Sequence, residues 1–313
     1  MSRVRILVFN AGSRRILFPD RVKSRARKNE RERIGINLNP TPESQASAYV
    51  MGRTSEEYER LRRQAELLEP ITASVFARAG LCTGMCCLDV GCGPGEVMRL
   101  MAERVGPTGK IVGIDVDGML GREGLSALVS KGYPQCAFIE GDLGTLEQIG
   151  SDPFDLVFAR LLLMHLDDPI LALRKMYCWV KPGGRIVVQD YYFPSIDSYP
   201  SVEPLDEFKK VFFGVYNHTR RETRMGLKLP GYFIEAGIGT PDGTDVSGHL
   251  LPMQVGARML AAVYRSVLPL ALKYGVTTEQ RSASFFEEIR KSESDSSYFL
   301  WPLLVSAWRQ KPA

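Results

Sequence analysis

One stretch constrains this chain more than any other: Leu88-Asp89-Val90-Gly91-Cys92-Gly93-Pro94-Gly95. A short apolar run at residues 86–90 enters a loop with glycine at every second position, then leaves it into a helical pattern at about 95–105. Glycine permits a sharp turn and lets backbone approach a ligand closely. Strand, glycine loop and helix together open a parallel sheet that binds its ligand at the carboxyl ends of the strands. The spacing is G-x-G-x-G, not the G-x-G-x-x-G of dinucleotide sites. Asp89 stands inside the strand end, where it suits a cationic amino group better than a pyrophosphate. Pro94 withdraws an N–H from the helix start, where a phosphate would want one.

The same rhythm repeats downstream. Apolar strands are expected at 110–115, 137–140, 154–159 and 185–190, with helices at about 122–131 and 169–180. Short β-branched strands alternating with helices read as an α/β, Rossmann-like, doubly wound and mostly parallel sheet. Strands near 244–249 and at 303–309 complete seven; Pro302 cannot donate a ladder hydrogen bond, so the last strand starts after it. Ahead of the sheet, Thr54-Ser55-Glu56-Glu57 resembles a capping box, and Tyr58, Leu61, Ala65, Leu68, Ile71 and Val75 keep a helical apolar stripe. After Tyr192 the rhythm breaks. Helices are expected at 203–223, 231–236 and 254–274, and the two long ones make residues 194–230 and 250–292 an inserted helical lid.

The next two strand ends are also acidic. Asp115 closes the second strand, 22 residues beyond Gly93, where a carboxylate can accept both hydroxyls of a ribose. Asp142 follows the third, placed to accept the exocyclic amine of an adenine. Three acidic strand ends fit an adenosine with an amino-acid tail, not a phosphorylated ligand.

Charge narrows the partners. Residues 1–35 hold 11 Lys/Arg against 3 Asp/Glu, so about +8 sits there and about −4 on the rest of a chain whose net charge is +4. Residues 1–44 therefore read as a basic, flexible arm ahead of one domain at 45–313. The acidic body argues against a nucleic-acid partner, since such enzymes must neutralise phosphates. Four of the six cysteines (82, 86, 87 and 92) cluster around one strand, unlike a disulfide framework. No histidine has metal-ligand spacing. With no signal-peptide pattern and no apolar run of about 20 residues, a cytoplasmic chain without stable membrane insertion or metal is expected.

At this point the chain resembles the class I S-adenosylmethionine-dependent methyltransferases, on residues 88–95, 111–117, Gly141-Asp142, 154–169 and 180–190. It is most similar to the small-molecule subgroup that includes the ubiquinone/menaquinone methyltransferases. The resemblance implies S-adenosyl-L-methionine as cofactor. It implies that Asp89, Gly91 and Gly93 hold the methionine part, Asp115 the ribose, and Asp142 with Leu143 the adenine, with Val116 also at the cofactor. It also implies that Tyr49 and Gln64 belong to a segment closing over the cofactor, and that Arg160 lies beside the methionine tail.

The acceptor is read from Asp190-Tyr191-Tyr192, which leaves the fifth strand where an acceptor should lie. Asp190 and Tyr192 share one face of a strand, and a carboxylate with a phenol can hold and deprotonate an indole N–H or a phenol. His165 is a second candidate base. Together with the aromatic lid, this stretch is similar to the indole C3-methyltransferases of physostigmine-type biosynthesis. That likeness implies C-methylation of an indole in specialised metabolism. O-, N- and quinone C-methylation on the same fold stay open, as do a nucleic-acid methyltransferase and a non-catalytic cofactor-binding module. The aromatic lid also suits a homodimer interface.

Overall fold

The structure, a computed structural model, describes residues 6–7, 55–146, 149–150, 152–294 and 296–313. Most of the basic arm and Tyr49 lie outside them. Within the arm, Ile6–Leu7 form a two-residue strand, β1.

Helix α1 (Ser55–Arg78) buries Tyr58, Ala65, Leu68 and Val75, the stripe expected from sequence. There follow β2 (Cys86–Val90), α2 (Glu96–Val105), β3 (Lys110–Asp115), α3 (Gly118–Ser130), β4 (Cys136–Glu140) and β5 (Phe154–Arg160). A 3₁₀ turn at Leu163–His165 leads to α4 (Pro169–Cys178) and the long strand β6 (Val180–Tyr192). Asp117 caps α3 and Asp168 caps α4, each accepting from a backbone N–H three residues on.

The sheet runs β1-β4-β3-β2-β5-β6, then β11 (Leu303–Gln310) and β8 (Gly243–Ser247). Strands β2 to β6 are parallel; β11 is antiparallel to both of its neighbours. The seven-stranded doubly wound sheet expected from the alternation is therefore present, with β1 added antiparallel on the β4 edge. Strand order reverses between β2 and β5, and a ligand crevice opens at such a point. One face packs Val97, Met101, Leu125, Phe138, Phe158 and Trp308; the other packs Leu88, Ile114, Val157, Ile186 and Tyr191.

The late region differs in detail. The first long helix, α5 (Glu203–His218), stops earlier than expected, and Arg220 adopts φ 55, which a helix cannot continue through. The next, α6 (Met225–Glu235), starts earlier and packs on β6 and β11, so it covers the sheet and is not lid. Helices α7 (Met253–Lys273) and α8 (Glu279–Lys291) pack with α5. A small antiparallel sheet of β7 (Asp197–Tyr199), β10 (Tyr298–Leu300) and β9 (Leu250–Pro252) joins them, and no sequence pattern announced it. By length and composition α7 is apolar enough to cross a membrane, contrary to the sequence reading. Arg258 and Arg265 interrupt it in sequence, and its Leu260, Val263, Tyr264, Val267 and Ala271 are buried against protein.

Candidate active site

The glycine loop leaves β2 and turns back under β3: the N–H groups of Gly91 and Cys92 both donate to the Ile114 carbonyl, at 2.8 and 3.0 Å. Gly91 has φ 74, and a Cβ there would lie 2.9 Å from Leu162 Cδ1, so the turn demands glycine. At Gly93, φ is 50 and nothing stands within 4 Å of where a Cβ would be, leaving the backbone open to a ligand. Asp115 holds this shape. Its Oδ2 accepts from Gly93 N–H and its Oδ1 from Asp117 N–H, both at 2.8 Å. Asp117 in turn accepts from the Tyr58 hydroxyl at 2.7 Å, which fastens α1 over the strand ends.

Asp89 lies at the end of β2, buried, and its Oδ2 has no hydrogen-bond partner. Burial pushes its pKa up to about 7, with Arg160 opposing and Asp115 adding to the rise. A buried carboxylate oxygen without a donor is costly unless a ligand supplies one. Val116 is 47% exposed and Met119 55%, apolar groups beside Asp115 that a flat ring would cover. Asp142 is exposed at the end of β4 and accepts from Gly144 N–H at 2.7 Å; Leu143 beside it is buried. These residues fit S-adenosylmethionine: an unsatisfied carboxylate for its ammonium, an open glycine for its tail, and an exposed apolar edge for its adenine.

Arg160 ends β5 close to Asp89. Its guanidinium donates to Thr72 Oγ1 at 2.9 Å, Thr72 donates to Gln189 Oε1 at 2.8 Å, and Gln189 donates to Ser306 at 2.9 Å. This polar chain ties α1 to β5, β6 and β11. The next residue, Leu161, holds φ 56, a left-handed conformation costing on the order of 1 kcal/mol for a bulky side chain.

Beyond Leu161 a small cavity of about 60 Å³ opens over the ends of β5 and β6. Its apolar wall includes Phe193, Phe208, Phe212 and Tyr216; its polar atoms come from Arg60, Gln64, His165, Tyr191 and Trp301. Phe212 stacks with Tyr216 at 4.3 Å and meets Phe193 at 4.4 Å. An apolar groove between α1 and α7, lined also by Arg63, Arg258 and Arg265, joins the cavity at Arg60, Gln64, Val263 and Trp301.

The sequence-chosen residues are not all brought together. Of the Asp190, Tyr191 and Tyr192 set, the cavity takes in Tyr191; Asp190 and Tyr192 do not line it. Asp190 is fully buried and accepts from Tyr191 N–H at 2.9 Å and Met164 N–H at 3.1 Å. Burial pushes its pKa up to about 7, against the N–H groups of Tyr191, Met164 and Leu163. It thus clamps the turn that carries His165. His165 lines the cavity, and burial, then Arg221 and Arg60, hold its pKa down to about 3, so its imidazole is neutral. Gln64, expected at the cofactor, sits on the cavity wall, between Arg60 and the Tyr191 hydroxyl. Trp301 had no sequence signal. Arg60 and Gln64 had one, their i,i+4 spacing on a helix.

A doubly wound sheet reversing between β2 and β5, with a glycine loop and acidic strand ends at that reversal, is the arrangement of the class I methyltransferases. A methyltransferase-domain family matches residues 82–224. The ubiquinone/menaquinone biosynthesis C-methyltransferase of Pseudomonas aeruginosa is 30% identical over 198 residues, 58% of this chain and 75% of that protein. The demethylmenaquinone methyltransferase of Lactococcus lactis is 30% identical over 128 residues (41% of this chain, 50% of that one). The trans-aconitate 2-methyltransferase of Rhizobium leguminosarum is 32% identical over 144 residues (46% and 48%). This chain spans about half the length of those last two relatives. In fold it is similar to a protein of Bacillus halodurans taken to be a methyltransferase, with a TM-score of 0.52 at 18% identity over 77% of this chain and 98% of that one. The chain belongs to the methyltransferase-domain family, whose methyl donor is S-adenosylmethionine.

Proposed function

We propose that this protein transfers a methyl group from S-adenosylmethionine to a small planar aromatic molecule. The observation that carries this reading is the aromatic-lined cavity over β5 and β6, beside the glycine loop. The cofactor supplies a methyl already activated by a sulfonium, so alignment for in-line displacement provides much of the rate. Asp89 would hold the ammonium group, Asp115 the ribose hydroxyls, Val116 and Leu143 the faces of the adenine, and Asp142 its amine. Arg160 would face the carboxylate of the tail. Phe193, Phe212 and Tyr216 hold a flat ring and exclude water, and faces of aromatic rings also favour a cation nearby. Asp190 positions the His165 turn.

The finer reading is methylation at carbon, at C3 for an indole, where loss of the N–H proton pushes electron density to the attacking carbon. In that reading His165 on the cavity wall takes the proton, although its low pKa makes it a weak base. A hydroxylated or quinoid ring is the second reading, favoured by the Tyr191 hydroxyl on the cavity wall and by the quinone-named relatives. Acceptors longer than one ring system would extend into the groove between α1 and α7.

The test is a mass-shift screen of indoles, phenols, quinones and amines with purified protein and S-adenosylmethionine. Gain of one methyl by an aromatic acceptor is expected. Tight binding of S-adenosylhomocysteine with no product from any of them would leave a binding module instead.

Asp89 gives the site a pH dependence. Its folded pKa is raised, so the stability it contributes is full below about 3.8 and is lost as pH rises through about 7. A ligand ammonium prefers the ionised carboxylate and pulls that pKa back down. Cofactor affinity should therefore rise between pH 6 and 8, and binding at pH 6.5 should release protons. Calorimetry in two buffers of different ionisation heat measures this, and Asp89→Asn should abolish the release.

A further inference from the structure

The Tyr191 hydroxyl is held in an unusual way. Gln64 Nε2 donates to it at 2.9 Å and Trp301 Nε1 at 2.7 Å. Neither nitrogen can accept a hydrogen bond, so both bonds run toward the phenol oxygen. The Gln64 amide cannot be turned around, because its Oε1 takes a hydrogen bond from Arg60 Nη1 at 2.6 Å and a guanidinium only donates. Both lone pairs of the phenol oxygen are thus occupied. One direction is left, and the proton points along it. No described residue places an acceptor against that proton, and Tyr191 stands on the cavity wall. Burial raises the pKa of the phenol, against Gln64, Trp301, Arg160 and Arg60, so the proton stays on.

We propose that Tyr191 is a fixed hydrogen-bond donor that selects acceptor rings carrying an oxygen (a phenol, enolate or quinone carbonyl) over rings that present an N–H. The proposal rests on the cavity's being the acceptor site, as above. A ring oxygen placed there receives the Tyr191 proton. An N–H placed there meets another donor, and a bare ring leaves the buried hydroxyl unsatisfied, the situation that buried polar sites reject most strongly. Oxygen and nitrogen heads are therefore sorted before any methyl moves. The preference amounts to about tenfold for a neutral oxygen and up to about a hundredfold for an anionic one. Of the two readings of the acceptor, this favours the oxygenated ring over the indole.

The experiment compares 1-naphthol, naphthalene and indole, binding each by calorimetry to the full chain loaded with S-adenosylhomocysteine. Each protein serves as its own reference, so changes in cofactor affinity cancel in the ratio. Wild type should bind naphthol at least tenfold tighter than naphthalene or indole. In Tyr191→Phe the naphthol-to-naphthalene ratio should fall to near one. In Gln64→Glu the phenol remains, but the new carboxylate takes its proton, and the same collapse is expected. That variant also covers the case of a Tyr191→Phe protein that does not fold. A ratio unchanged in either variant, indole as the tightest ligand of wild type, or no binding of any of the three overturns the proposal. Intact oxygen preference with no methylated product supports the donor role while removing the transfer reaction, so the two failures are distinct.

Discussion

Asp190→Ala will destabilise the protein by about 3 kcal/mol and cut turnover at least about a hundredfold, with cofactor affinity within a few-fold of wild type. The side chain is fully buried, and backbone N–H groups at Tyr191 and Met164 rely on it. Stranding buried donors costs about 1–3 kcal/mol each, a large share of the total stability of a domain. Turnover falls because the clamp joins two cavity residues from different elements, Tyr191 on β6 and His165 on the turn after β5. A misplacement of about 1 Å can cost about a hundredfold. Urea unfolding followed by circular dichroism reads the first effect, and methyl transfer under saturating cofactor reads the second. Asp190→Asn, which keeps one acceptor oxygen, should fall between. A variant with wild-type turnover and lowered stability would leave Asp190 as core support only.

Asp115→Ala should weaken S-adenosylmethionine binding at least about a hundredfold. Two losses combine. The ribose loses its acceptor, a hydrogen bond to a charged group worth about 1.5–3 kcal/mol. The Gly93 and Asp117 N–H groups also lose the carboxylate that shapes the loop. Asp115→Asn keeps an oxygen for one of these and should lose less. Calorimetry with S-adenosylhomocysteine measures both, alongside a thermal melt to show that the fold survives. Unchanged affinity in Asp115→Ala would remove this residue from the cofactor site.

The placement of the proposed donor-half residues was legible because it is local. Asp89, Gly91, Gly93 and Asp115 sit at or just past strand ends whose spacing the βαβ repeat sets. The acceptor half was legible only in part. Period two in a strand placed Asp190 and Tyr192 on one face and pointed to that face, whereas the cavity lies on the other, the face of Tyr191. Nothing local decides which face a late helical insertion will cover. Trp301 carried no signal at all, because its partner Tyr191 lies 110 residues away in sequence. The helix end at His218 was misread because Arg220 must adopt φ 55, and an arginine gives no warning of a left-handed residue. The membrane reading of α7 differed because two arginines hide its length in sequence while one apolar flank lies in the lid core.

The position of β11 has a consequence for how the molecule assembles. It pairs with β6 only after a long intervening chain has looped back, and loop closure must precede the contacts that reward it. Strands β2 to β6 and their helices need no such wait. The cofactor half should therefore form first in time, and the cavity, whose walls come from both sides of that loop, should form last. In pulse-labelled refolding, amides of β2 and β3 should gain protection before those of β11. An intermediate able to grip the methyl donor while still lacking a place for the acceptor would then be a normal stage in the life of each molecule.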